Sequence, residues 1–238
     1  MPRPHIEEPF QSIANGDRDH LIELLSENPA LAQARNDHGE SALLFAAYRG
    51  HRDFIDLLIE HGAEPTFFEA ATIGDLARVE RFLGGDPKLL RSHSHDGWTA
   101  LHLAAHFDHR AVAELLLRLG ADVNAASAAT SLAPGNRPLH AAIASGHREM
   151  AAFLIEHGAD PNAPQANGMT ALHLAALGHR ADFIHLLIDH GANVSAVDHS
   201  KLTPLQLAIK HHRGAAAEAL RARGAGESEQ EPSKLGSV

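Results

Sequence analysis

Short apolar stripes with helical spacing recur along the chain. Within GWTALHLAAH (97–106), Ala104 and Ala105 stand three and four positions after Leu101, which predicts a short helix with one buried face. After a polar break, a second stripe carries two adjacent apolar residues, and a Gly-Ala pair follows it. The adjacent apolar residues are Leu57-Leu58, Leu115-Leu116, Leu154-Ile155 and Leu186-Leu187. The pattern therefore predicts that the chain consists of pairs of short helices.

These helix pairs share fixed landmarks. The segment TALH at 99–102 returns as RPLH at 137–140, TALH at 170–173 and TPLQ at 203–206, and an earlier form, SALL, occupies 41–44. A Gly-Ala pair begins 18 residues after the fourth position of every copy. The Thr of the segment is suited to cap the first helix, because its hydroxyl can accept a backbone N–H. The Gly of the pair is suited to end the second helix in a left-handed conformation.

The repeated segment resembles the ankyrin repeat, whose T-P-L-H-x-A signature it shares. The resemblance implies an all-α solenoid of about seven helix-turn-helix-loop repeats with short hairpin-like loops, in one domain over residues 1–225. We expect repeats one to seven at about 6–36, 37–65, 66–93, 94–124, 125–162, 163–195 and 196–225. The tail at 226–238 has almost nothing to bury and is predicted to be disordered.

Two repeats depart from the regular length. Ala46 and Ala70 hold equivalent positions but are only 24 residues apart, so repeat three lacks about nine residues, which we assign to its protruding loop. In contrast, Asn124 and His140 are 16 residues apart where Asn162 and His173 are 11 apart, so repeat five carries a five-residue insertion. Both irregularities flank repeat four.

Composition narrows the range of functions. The formal net charge of −10 repels phosphate backbones and anionic lipid, so neither nucleic acid nor a membrane is expected as a partner. The chain has no Cys, which excludes disulfides and fits a reducing compartment. Its first ten residues lack the apolar run of a signal peptide, and no stretch has the length of a membrane helix. We expect a monomer in the cytoplasm.

The 20 His residues suggest metal binding or catalysis, but their register favours structural roles for most of them. Those with repeated positions are His102, His140 and His173 in the signature, His51, His109 and His147 at the start of second helices, and His61, His157 and His190 before the Gly cap. His93, His95 and Asp96, with His106 nearby, could ligate zinc, but a polar loop in a His-rich chain is the favoured explanation. No nucleotide-binding, metalloprotease or serine-hydrolase motif occurs. We therefore expect no enzymatic activity, cofactor or metal.

The resemblance also implies where a partner would bind. In ankyrin repeats the loop tips and the exposed side of the first helices line a concave groove, so contacts come from positions flanking the signature. In repeats two to four these residues are Asp37, His38, Glu40, Tyr48, Arg49, Thr72, Ile73, His95, Asp96, Trp98, His106 and Phe107. The only Trp and the only Tyr are among them, and both residue types are enriched at binding hot spots. Alternatively, Trp98 packs its ring on the neighbouring loop.

The missing loop of repeat three predicts a notch between the loops of repeats two and four. A notch is concave, as binding sites generally are. The competing interpretation is that the shortening is neutral and that the loop of repeat four fills the gap. We conclude that the sequence predicts a non-enzymatic module that binds another protein through its concave groove, centred on repeats two to four. The alternative is a small-ligand or metal-dependent binding or catalytic protein with a His-lined pocket beside repeat four.

Overall fold

The chain is all-α, as the sequence predicts. The computed structural model describes residues 6–129, 134–178 and 180–226. Within these ranges it contains fourteen α-helices in seven consecutive pairs, and its only β-type pairing is an isolated bridge between Arg35 and Ser41. The residues cluster into two compact units, an N-terminal unit (1–122) and a C-terminal unit (123–238), which we describe separately.

The N-terminal unit holds four helix pairs. Its helices are α1 Glu8–Asn15, α2 Arg18–Glu27, α3 Ala42–Tyr48, α4 Arg52–Glu60, α5 Phe67–Ile73, α6 Leu76–Gly85, α7 Ala100–His106 and α8 Arg110–Arg118. Short 3₁₀ segments, Pro29–Gln33 and Pro87–Arg91, follow α2 and α6. The first helices of the pairs pack side by side in the order α1, α3, α5, α7.

The C-terminal unit holds three helix pairs. Its helices are α9 Pro138–Ser145, α10 Arg148–Glu156, α11 Ala171–Leu177, α12 Ala181–Asp189, α13 Pro204–Lys210 and α14 Gly214–Ala222. Its first helices pack in the order α9, α11, α13. We call the even-numbered helices of both units the second helices.

The predicted caps define the helix ends. Thr99, Thr170 and Thr203 are the N-caps of α7, α11 and α13. Each second helix that precedes a Gly-Ala pair ends in a Schellman arrangement. Gly62 has φ 90°, and the N–H of Ala63 donates to the carbonyl of Leu58 at 2.9 Å. These local bonds satisfy the backbone groups that the ends of short helices leave unpaired.

The histidines with repeated positions serve the helix ends. His51, His109 and His147 are the N-cap residues of α4, α8 and α10. Nδ1–H of His61, His157 and His190 donates to the carbonyl four residues earlier, at 2.8–2.9 Å. His102, His140 and His173 are buried, with at most 1 % of each side chain exposed. Their structural assignment is confirmed.

The loops between pairs form small hairpins. In repeat six, the N–H of Gln165 donates to the carbonyl of Met169 at 2.8 Å, which closes a tight turn. In repeat five the corresponding bond joins Ser127 to Asn136, so the insertion lengthens this loop as predicted. Before α5 no such hairpin occurs, because Thr66 caps that helix only three residues after Ala63.

In the described ranges no helix is long and apolar enough to cross a membrane. Residues 227–238 lie outside the described residues, and with them nearly all of the tail predicted to be disordered. The single domain over 1–225 and the boundaries of its seven repeats stay predictions.

Candidate functional site

The loop of repeat two presents its polar residues on a turn held by Asn36. Its Oδ1 accepts the N–H groups of His38 and Glu40, both at 3.0 Å, and its Nδ2 donates to Oε2 of Glu40 at 3.0 Å. Asp37 and His38 are exposed, and Glu40 is half-buried. The turn therefore fixes the position of the Glu40 carboxylate.

The loop of repeat four has the same turn, with Ser94 in the place of Asn36. The N–H of Trp98 donates to Oγ of Ser94 at 3.2 Å. The His95 side chain is fully exposed, and its Nδ1 lies 3.6 Å from a carboxylate oxygen of Asp96. Trp98 itself is half-buried.

Four rings from these loops and helix ends form one group, which we call the aromatic cluster: Tyr48, Trp98, His106 and Phe107. The Tyr48 ring meets the Phe107 ring edge to face with centroids 5.2 Å apart, and His106 lies 4.7 Å from Phe107. Trp98 packs edge to face on His106 with centroids 5.2 Å apart. Trp98 thus packs on α7 of its own repeat, while Tyr48 stays 49 % exposed.

Helix α5 packs between α3 and α7, and its end differs from theirs in the burial of Thr72. Thr72 is only 1 % exposed, and its Oγ1 donates to the carbonyl of Phe68 at 2.9 Å inside the helix. Its side chain therefore packs within the helix stack instead of facing solvent. Ile73 is half-buried. Arg49 is exposed, and its guanidinium carbon lies 3.4 Å from the centre of the Phe45 ring.

Carboxylates from both loops affect the pKa of Tyr48. Burial raises the pKa of the Tyr48 phenol, and the carboxylates of Asp96 and then Glu40 raise it further. Two negative charges from different loops disfavour the phenolate, so the hydroxyl remains a hydrogen-bond donor beside acceptor groups. The structure thus brings Glu40, Tyr48 and Asp96 together within the N-terminal unit.

A cleft of about 530 Å³ lies next to the aromatic cluster, between α4 and the turn from α5 to α6. We call it the α4–α6 cleft. Thr72, Ile73 and Phe107 line it, and the other nine predicted site residues do not. Sequence reasoning missed its α4 side, where Ile55 and Ile59 are half-buried.

The His-rich loop of repeat four does not gather a set of metal ligands. Among the described residues no group of three or more His, Asp or Glu side chains is placed to hold an ion. His95 and Asp96 form a pair only, whereas zinc sites use at least three protein ligands.

Comparisons with known families agree with this architecture. A family model described as Ankyrin repeats (3 copies) matches residues 67–165 and 161–230. A second model, described as Ankyrin repeats (many copies), matches residues 11–59. No curated protein matches the chain.

Proposed function

Because the chain belongs to the ankyrin repeat family, we propose that it is a non-enzymatic module that binds a partner protein through the groove of repeats two to four. Ankyrin repeats are generally protein–protein interaction modules. In this proposal the aromatic cluster is the centre of the contact, and the two hairpin loops beside it form the rim.

The observation that carries the proposal is the exposure of Tyr48 within a packed group of rings. Tyr48 is 49 % exposed although it contacts both Phe107 and His106. A ring held by its neighbours loses little freedom on binding, and Tyr and Trp dominate interface hot spots for this reason. The polar rim that surrounds such hot spots is supplied by Asp37, His38, Glu40, His95 and Asp96.

A capture experiment with matched variants tests this proposal. The intact chain and its Tyr48→Ala, Trp98→Ala and Val197→Ala variants are immobilised, and proteins retained from a lysate are compared. Val197 is the control, because it is also 49 % exposed but lies in the C-terminal unit. A protein retained by the intact chain and by the control is then titrated calorimetrically against all four.

We expect Tyr48→Ala and Trp98→Ala each to cost about 2 kcal/mol or more of binding free energy, which is about 30-fold in Kd. The control variant should bind like the intact chain, and the melting temperatures should stay nearly equal. If both ring variants melt several degrees lower and bind normally, the aromatic cluster only stabilises the fold and the proposal is wrong.

We further infer that the module acts as a monomer in the cytoplasm. The absence of Cys supports a reducing compartment, and a net charge of −10 supports a soluble, non-associating chain.

A further inference from the structure

The α4–α6 cleft exposes an apolar position that the other second helices bury. Ile55 is the fourth residue of α4 and is half-buried. Ile184, the fourth residue of α12, is completely buried. The fourth residues of the other second helices are also buried, each at most 4 % exposed: Leu21, Val79, Ala113, Ala151 and Ala217. In the described helices, α4 alone leaves this position uncovered.

The reason lies in the third residue of α6. In five second helices the third residue is apolar and buried: Phe54, Val112, Met150, Phe183 and Ala216. In α6 it is Arg78, whose guanidinium forms an ion pair with Asp75 at the start of its own helix. Arg78 and Ile55 face the same cleft. Because Arg78 stays with Asp75 and remains 30 % exposed, it does not fill the space over Ile55.

The cleft has an apolar floor with an aromatic wall. Ile55 and Ile59 lie on one side, Ile73 lies on the other, and all three are half-buried. The rings of Phe107 and His109 stack almost in parallel, with centroids 6.4 Å apart and an interplanar angle of 13°. His109 is fixed in this position, because its Nε2–H donates to the carbonyl of Thr72 at 2.7 Å.

Acidic groups prevail at the opening. Asp56 and Glu60 stand one turn apart on α4, and neither forms an ion pair within the part of the chain that the structure describes. Arg78 is neutralised by Asp75, so Arg52 is the one remaining Arg or Lys of the lining without a carboxylate of its own in the described residues. Two carboxylates against one guanidinium favour a cation over an anion.

We propose that the α4–α6 cleft binds a small organic amine with an apolar body. A volume of about 530 Å³ suits a small organic molecule. The apolar body would lie on Ile55, Ile59 and Ile73. The ammonium group would lie beside the α4 carboxylates, Asp56 and Glu60. This site goes beyond the partner-binding surface, with which it shares only residues at the ends of α5 and α7.

The test uses three probes with one aromatic body and different charge: phenethylamine, 3-phenylpropanoate and 3-phenylpropanol. Each is titrated into the ¹⁵N-labelled full chain and followed by amide chemical shifts. We expect phenethylamine to shift the amides of residues 52–60, 72–78 and 107–109 in a saturable way. Its Kd should be lower than that of the anion by about fivefold or more, the size expected for a solvent-facing ion pair.

A matched pair of double variants tests the role of the α4 carboxylates. Asp56→Asn with Glu60→Gln removes two charges at the cleft. Glu114→Gln with Glu156→Gln removes two charges at the same registers of α8 and α10, away from the cleft lining. The first pair should weaken phenethylamine binding by about fivefold, and the second should leave it unchanged. The proposal is overturned if the anion binds as tightly as the amine, if both double variants act alike, or if no probe shifts these amides.

Discussion

The rings of Tyr48 and Phe107 meet edge to face with centroids 5.2 Å apart, although α5 packs between the helices at whose ends they stand. They can meet because Thr72, the last residue but one of α5, is buried, and the chain then turns at Gly74. Repeat three thus has a buried residue at the end of its first helix and no hairpin loop before that helix. Residues of repeats two and four therefore form one surface across it.

The alkaline titration of Tyr48 should report this arrangement. Tyr48 is the only Tyr in the chain, so tyrosinate absorbance measures its pKa directly. Burial and the neighbouring carboxylates should place that pKa above 10.0 in the intact chain. Asp96→Asn should lower it, because removing a negative charge makes the phenolate less unfavourable. Asp53→Asn, on the exposed side of α4, is the control and should leave the pKa unchanged. An unchanged titration in Asp96→Asn would place this carboxylate away from the ring.

Local sequence accounts for most of the fold and part of the site. The helix pairs and their caps follow from signals within each repeat, such as Thr99 before α7 and Gly62 after α4. The aromatic surface was predictable because Tyr48 and Trp98 stand outside the buried registers. The burial of Thr72 was not, since the repeat register gives it the exposed position of Tyr48. Its burial arises only in the folded protein, where α5 packs between α3 and α7.

The α4–α6 cleft could not be predicted from one repeat, because it depends on how two second helices cover each other. A signal was nevertheless present in the sequence. Arg78 stands at the register where α4 has Phe54, and a charged residue there predicts a gap in the apolar contact. Comparing registers between repeats, rather than searching for motifs, would have found it.

An amide clamp between neighbouring repeats should stabilise the C-terminal unit. Nδ2 of Asn162 donates to the carbonyl of Gly191 at 2.9 Å, and its Oδ1 accepts the N–H of Asn193 at 2.7 Å. Asn162→Ala removes both bonds and should lower the free energy of unfolding by about 1–2 kcal/mol, measured by urea denaturation. Asn193→Ala is the control, because among the described residues that side chain accepts just the nearby N–H of Ser195. Equal losses in the two variants would mean that the clamp adds nothing beyond local turn stability.

Two glycines with the same backbone conformation should differ in their tolerance of a side chain. Gly50 and Gly74 have φ values of 71° and 78°, so Ala is strained at either position. A Cβ at Gly50 meets nothing within 4 Å, whereas at Gly74 it would lie 2.6 Å from Nδ1 of His109. The His109 ring cannot move aside without losing its bond to Thr72. Gly74→Ala should therefore cost about 1–3 kcal/mol more than Gly50→Ala in urea unfolding, and equal costs would contradict this packing.

His173 is held in its neutral form by its position in repeat six. Its side chain is fully buried, and this burial lowers its pKa from the ordinary 6.5, although the carbonyl of Leu202 and the carboxylate of Asp198 oppose the shift. Nδ1 accepts the N–H of Thr170 at 3.1 Å, and Nε2–H donates to the carbonyl of Leu202 at 3.1 Å. Protonation of Nδ1 would remove an acceptor that caps α11.

The stability of the protein should therefore depend on the protonation of His173. Below pH 6.5 the unfolded chain takes up a proton at this histidine that the folded chain does not. The contribution of His173 to the free energy of unfolding is therefore complete above pH 6.5 and is lost as the pH falls towards the lower folded pKa. In repeat seven Gln206 occupies the same position, and its Oε1 accepts the N–H of Thr203 at 2.9 Å, so His173→Gln keeps the cap without a titrating group. At about pH 7.5 this variant should be less stable by about 1 kcal/mol, because the bond to Leu202 is lost. At about pH 5.5 the difference should be smaller, and urea unfolding at both pH values measures it.

His185→Gln, at an exposed position of α12, is the control and should have the stability of the intact chain at both pH values. Parallel pH profiles for the intact chain and His173→Gln would show that this histidine does not make the fold acid-sensitive.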